Sequence, residues 1–164
     1  MKSADCPQIS ITRKFAAPVE LVFEAWTSVA HLREWYAPAG CELSHCEADF
    51  RKGGALILCI KAPNGHACWC KGVILEIDKP RKLIYSLQNT DANGNPLSAK
   101  ELGMDPEWPM QTTIEVLFSS ANGKTIITLN QNAPLDVAKR TGAYPSWLSM
   151  LDRLDAKLKS SVTA

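Results

Sequence analysis

Apolar and polar residues alternate through residues 8–15, with Ile9, Ile11 and Phe15 on one side, which is the two-residue period of a strand. Ala17-Pro18 stops it. Pro18 suits the first turn of a helix and Glu20 favours its N-terminus, so residues 18–27 read as a helix with Leu21, Val22, Ala25 and Trp26 on one stripe. Ser28 can cap a second short helix carrying Val29, Leu32, Trp35 and Tyr36, ended by Pro38-Ala39-Gly40. Strand patterns then follow at residues 41–50, 54–61, 66–77, 82–88, 112–120 and 124–131.

Two dipeptides, Asn64-Gly65 and Asn122-Gly123, predict two-residue type I′ hairpins, because that turn needs positive φ at both positions. At the second, this register sets Phe118 opposite Ile127 and Val116 opposite Leu129 on one face. Glu115 then faces Asn130, and Leu117 faces Thr128, on the other. One apolar and one mostly polar face is what a half-buried antiparallel pair needs. Residues 134–159 read as the last helix, with Tyr144, Trp147, Leu148, Leu151, Leu154 and Leu158 as its stripe and Asp152, Arg153, Asp155, Lys157 and Lys159 on its wet side. Gly142 and Pro145 predict a kink or a late start there. Residues 89–111 form a long connection carrying Leu97, Leu102, Met104, Trp108 and Met110; it reads equally as a lid over a pocket or as a surface loop pinned by its own side chains.

The chain has 164 residues, a length suited to one domain with a sizeable core. Lys and Arg number 18 against 17 Asp and Glu, so no basic footprint for nucleic acid exists. No apolar run is long enough to span a membrane. The first residues, Met1 to Pro7, carry an acid and no apolar core of a signal peptide, so the expected address is the cytoplasm. In that compartment the six cysteines read as reduced thiols rather than as a disulfide framework.

The order of elements predicts an α+β fold in which a curved antiparallel sheet wraps a long C-terminal helix, leaving a pocket between them. Several segments carry a resemblance. Ile9-x-Ile11-x-Arg13-x-Phe15-x-Ala17-Pro18, Val22-Phe23-Glu24-Ala25-Trp26-Thr27 and His31-Leu32-x-x-Trp35-Tyr36 open it. Arg51-Lys52-Gly53-Gly54 and Gly72-Val73-x-x-Glu76-Ile77-x-x-Pro80-x-x-Leu83 continue it. Asp91-Ala92-Asn93-Gly94-Asn95-Pro96, Gly103-Met104, Trp108-Pro109 and Trp147-x-x-x-Leu151-Asp152-Arg153-Leu154 complete it. Together they resemble the START-like (SRPBCC) superfamily, in the branch named after the C-terminal domain of the activator of heat shock protein 90 ATPase. The resemblance runs over residues 8–158 and implies one helix-grip domain over residues 1–164, with its core at about 8–159. It implies a pocket between sheet and last helix of the kind that binds apolar small molecules, and it carries no invariant catalytic set.

The ligand-cavity candidates are Trp35, Tyr36, Trp69, Tyr85, Trp108, Met110, Tyr144, Trp147, Leu148 and Leu151. Trp and Tyr offer a wide apolar face with a polar handle, although core packing explains any one of them as well. Trp26 and Trp147 fit the core; Tyr36, Trp108 and Tyr144 fit the mouth. If the glycine turns pair as simple hairpins, Cys46, Cys59 and Cys70 form one row, with Cys68 and His66 on the same face. Such a row reads as buried thiols, with zinc and redox pairing as lesser alternatives. Glu76, Glu115, Asp49 and His45 are candidates for acid–base work if they face a pocket, unless Arg13 neutralises one of them. No catalytic residue, metal site or cofactor is assigned. The first functional reading is binding of an apolar small molecule in the cavity between the sheet and the last helix, with no specific role assigned, no nucleic-acid partner and no membrane span. A chaperone-partner module is the second reading, and a polyketide cyclase- or hydrolase-like enzyme is the third. Apolar residues on both faces of 55–61, Leu56, Leu58 and Ile60 against Ile57 and Cys59, leave a homodimer open.

Overall fold

A computed structural model describes residues 7–102 and 105–163, with side chains as far as Ser160. Cys6, Gly103, Met104 and the leader reading at residues 1–6 lie outside the described residues.

Strand β1 (Gln8–Phe15) leads to helices α1 (Val19–Trp26) and α2 (Val29–Trp35). Five strands follow: β2 (Glu42–Ala48), β3 (Ala55–Lys61), β4 (Ala67–Asp78), β5 (Lys82–Thr90) and β6 (Gln111–Ala121). The chain closes with β7 (Lys124–Pro134), α3 (Leu135–Thr141) and α4 (Ala143–Thr163). The strands form one antiparallel sheet in the order β1-β7-β6-β5-β4-β3-β2. After β1 the two short helices carry the chain to the opposite edge. It then returns strand by strand until β7 pairs with β1, and α4 packs against the inner face.

The local signals explain most of this. Pro18 stands one place earlier than expected, as the N-cap of α1 rather than inside its first turn. The Ser28 hydroxyl caps α2 by accepting from the His31 amide. The last helix starts late, as predicted. Gly142 adopts φ +90° and ends α3, and α4 begins at Ala143. Pro145 then falls in the first turn of α4, where the missing N–H has no intrahelical partner to lose.

The Asn122-Gly123 hairpin has the expected register. Asn122 and Gly123 take φ 55° and 77°, Phe118 faces Ile127, Val116 faces Leu129, and Glu115 faces Asn130. The Asn64-Gly65 hairpin differs. Pro63 precedes the dipeptide and has no N–H with which to close a two-residue turn. Closure moves back to Ala62, whose amide donates to His66 O, and the loop gains a third residue with Gly65 at φ +89°. Cys70 therefore faces Leu58, and Cys59 faces Trp69. The turn between β2 and β3 also pairs one residue differently from expectation, so Cys46 faces Leu58 and His45 faces Cys59. A one-residue slip reverses faces in a strand. The predicted row of Cys46, Cys59 and Cys70 is thus broken: Cys46 and Cys70 flank Leu58 on the inner face, and Cys59, also buried, lies on the opposite face between His45 and Trp69.

The inner face supplies Ile9, Ile11, Leu56, Leu58, Ile74, Ile114, Val116, Ile127 and Leu129, all buried. Trp147, Leu151, Leu154 and Leu158 of α4 cover them. An aromatic knot joins the helices to the sheet. The Trp26 ring lies 4.7 Å from Trp35, 6.3 Å from Trp147 and 6.4 Å from Phe118.

Candidate functional site: the cleft between sheet and last helix

The inner face of the sheet and α4 do not meet everywhere. Toward the Ala143 end of α4 they diverge and leave a cleft of about 160 Å³. Leu58 and Ile60 come from β3, Cys68 and Cys70 from β4, Leu87 from β5 and Gln131 from β7. The helix contributes Ala143, Ser146, Trp147 and Met150; Tyr36, just after α2, and Trp108, from the long connection, complete the walls. Among the described residues that line it, none is Asp, Glu, Lys, Arg or His.

Behind the cleft lies a much smaller inner cavity of about 20 Å³, bordered by Trp26, Leu56, Ile74 and Tyr85 and sharing Tyr36 and Leu58 with the cleft. It has room for one water and no more. Trp26 Nε1 is buried there without a hydrogen-bond partner among the described residues.

The polar groups of the cleft are ordered by the protein. Tyr36 Oη and Tyr85 Oη lie 2.7 Å apart, both side chains buried. Burial pushes both phenol pKa values well above the usual tyrosine range, so both hydroxyls stay neutral. Gln131 Oε1 accepts from Trp147 Nε1 at 2.8 Å, and its Nε2 donates to Thr112 Oγ1 at 2.9 Å. The Cys70 thiol donates to Asn89 Oδ1 at 3.6 Å, and burial, with Cys68 and Cys59 nearby, pushes its pKa up to about 12. Burial likewise raises the Cys68 pKa.

The cavity candidates divide. Tyr36, Trp108 and Trp147 line the cleft, while Tyr85 lines the inner cavity behind it. Trp35 is buried in the aromatic knot, with Nε1 donating to Ala25 O, and Leu151 is fully buried in the core. Tyr144 is half-buried with the Lys139 ammonium 5.6 Å from its ring, and it does not line the cleft. Leu148 and Met110 are exposed. Trp69 is a correction: it faces the outer side of the sheet, 5.4 Å from the His45 ring, because it alternates with Cys68 and Cys70. That outer side also exposes Ile57, Val73 and Leu75.

The acid–base candidates also lie away from the cleft. Glu76 pairs with Lys82 at 3.1 Å, Glu115 accepts from Asn130, Asp49 pairs with Arg51 and His45 pairs with Glu47. Arg13 neutralises none of them; it meets Asp152 of α4 at 2.7 Å. Gln131 was missed, although a signal for it existed. The alternation of Ile127 and Leu129 continues to it and points it inward.

A seven-stranded curved sheet with a long C-terminal helix across its inner face defines a helix-grip domain of the START-like type. The model of the family described as Activator of Hsp90 ATPase homolog 1-like protein matches residues 16–159, and the chain belongs to that family. Solved structures agree on the fold. A Mycobacterium smegmatis protein is 21% identical, with 94% of this chain and 91% of that one covered at a TM-score of 0.78. An Arthrobacter aurescens protein is 19% identical over 98% and 90% of the two chains, at 0.78. The AHSA1 protein of Silicibacter pomeroyi is 18% identical over 94% and 99%, at 0.75. A search of the curated proteins returns no match. Among the described residues, no helix is long and apolar enough to cross a membrane.

Proposed function

We propose that this protein binds an apolar small molecule in the cleft between sheet and α4. The observation that carries the reading is a cleft of about 160 Å³ whose described lining is uncharged and includes Trp108, Trp147, Leu58, Ile60, Leu87 and Met150. Filling such a space removes apolar surface from water without stranding a charge. The polar groups at hand, Gln131 and the tyrosine pair, already have protein partners that fix their orientation. Native mass spectrometry of freshly purified protein tests this, with Ala143→Trp as a variant that fills the mouth. A co-purifying mass present in the parent and absent from the variant supports the reading. A ligand-free parent that also takes up no apolar dye overturns it.

Family membership favours a second reading, contact with a chaperone of the kind that gives the family its name. An ATPase assay with that chaperone separates the two, and clear stimulation by this chain would reverse the order. The cyclase- or hydrolase-like reading needs an ionisable group facing the ligand. The only titratable side chains in the described lining are Tyr36, Cys68 and Cys70, each held in its neutral form.

A further inference from the structure

The size and the hydrogen-bond arithmetic of the cleft narrow the ligand. Drug-sized ligands occupy pockets of roughly 300–1,000 Å³. The cleft measures about 160 Å³, and the cavity behind it adds only about 20 Å³. A closed apolar cavity of roughly 150 Å³ takes benzene. The space therefore buries one ring with a short substituent, and the rest of a longer or fused ligand would project from its open mouth into water.

Two further features set polarity. With an uncharged lining, an ionic ligand would lose its hydration and gain no counter-charge. The tyrosine pair, however, holds an unspent donor. Two hydroxyls carry two hydrogens, and their mutual bond at 2.7 Å uses one. No acceptor for the other is present among the described residues. Tyr36 borders both spaces, so with Tyr85 donating to Tyr36, the Tyr36 hydrogen is free to point into the cleft.

We propose, resting on the small-molecule reading above, that the cleft takes a neutral, single-ring aromatic molecule with one hydrogen-bond-accepting oxygen. The ring packs against Trp108, Trp147 and Met150, and the oxygen accepts from Tyr36.

Acetophenone is the probe, with benzoate as its anionic counterpart and 2-undecanone as the neutral long-chain comparison. Calorimetry measures binding, and protection of the exposed Cys68 from maleimide reports whether the cleft is the place. The expected result is saturable acetophenone binding with Cys68 protected, and at least tenfold weaker binding of benzoate and 2-undecanone. Tyr36→Phe removes the donor but strands the buried Tyr85 hydroxyl, so the variant to measure is the double one with Tyr85→Phe. Replacing both partners with isosteric apolar rings is nearly neutral for folding, and losing the donor should weaken acetophenone about tenfold. Unchanged affinity in the double variant overturns the tyrosine contact. Benzoate binding as tightly as acetophenone overturns the neutral-ligand claim. 2-Undecanone binding with Cys68 protected, and acetophenone not, overturns the size claim and leaves the small-molecule reading standing. No protection of Cys68 by any of the three, with no heat of binding, overturns both.

Discussion

The Arg153 guanidinium of α4 donates through Nη1 to the carbonyl oxygen of Ala37, just beyond the C-terminus of α2. The same nitrogen lies 3.3 Å from Cys41 O and 3.4 Å from Pro38 O, and Nη2 lies 3.4 Å from Glu34 O. Although the residue sits on the polar side of the helix pattern, it is half-buried and ties the last helix to the segment that delivers Tyr36 to the cleft. Hydrogen bonds to a charged donor are worth about 1.5–3 kcal/mol, and the stranded carbonyls add to the cost. Arg153→Ala is expected to lose about 3 kcal/mol in urea unfolding. Arg153→Lys should recover less than half of that, since the shorter side chain carries one nitrogen and cannot hold Glu34 O together with the carbonyls that Nη1 reaches. Full recovery by lysine would reduce the role to that of a point charge.

The hairpin between β6 and β7 depends on positive φ at both turn residues, 55° at Asn122 and 77° at Gly123. A Cβ at Gly123 meets no atom within 4 Å, so a substitution there strains the backbone alone. Gly123→Ala should cost about 1–2 kcal/mol, and Asn122→Gly should be close to neutral. Equal losses at the two positions would show that side-chain contacts, rather than φ, hold the turn.

That hairpin also shows what the sequence made legible. Asn122-Gly123 fixes a register that can be checked against the two faces it creates, and the check succeeds. Asn64-Gly65 carries the same dipeptide, but Pro63 lacks the closing N–H, and the resulting one-residue shift pairs Cys59 with Trp69 instead of Cys70. The strands and the aromatic residues of the α4 stripe followed from periodicity, and the late start of α4 from Gly142 and Pro145. The cleft did not, because its width depends on where side chains from β3, β4, β7 and α4 meet, elements far apart in the chain. Arg13 and Arg153 were unreadable for the same reason: their partners, Asp152 and the carbonyls after α2, lie more than a hundred positions away.

The long connection is held at both ends. Asp91 accepts from the Asn93 and Asn95 amides, and Asp105 binds Arg140 of α3 at 2.6 Å. The hydrogen bond from Arg140 holds the Asp105 carboxyl below the usual carboxylate range. A lowered pKa means that the tether is present above the unfolded-state value and lost as pH falls through the folded one. Arg140→Ala should therefore speed proteolysis near residues 105–110 at neutral pH, while the global unfolding midpoint stays within error, since exposed pairs add little. In the parent protein the same sensitivity should emerge only on strong acidification. A variant cut at the parental rate would show that the backbone contacts alone hold the segment.

The thiols of the cleft give a test at the other end of the pH scale. Cys70 has its pKa pushed up to about 12, chiefly by burial. Unfolded cysteine ionises at about 8.5. Between these values the unfolded chain has released a proton that the folded chain still holds, so stability falls as pH rises through that window and is unaffected by this group below it. Replacing Cys70 with Ser would keep the Asn89 hydrogen bond and remove the titration. Because a thiolate is the reactive form, Cys70 should also label with maleimide far more slowly at pH 8 than in the unfolded chain. Cys68 is exposed but also raised, and it should fall between the two. A Cys70 that labels at the rate of a free thiol in the native protein would mean that the inner end of the cleft is wet, and the apolar character assigned to it would not hold.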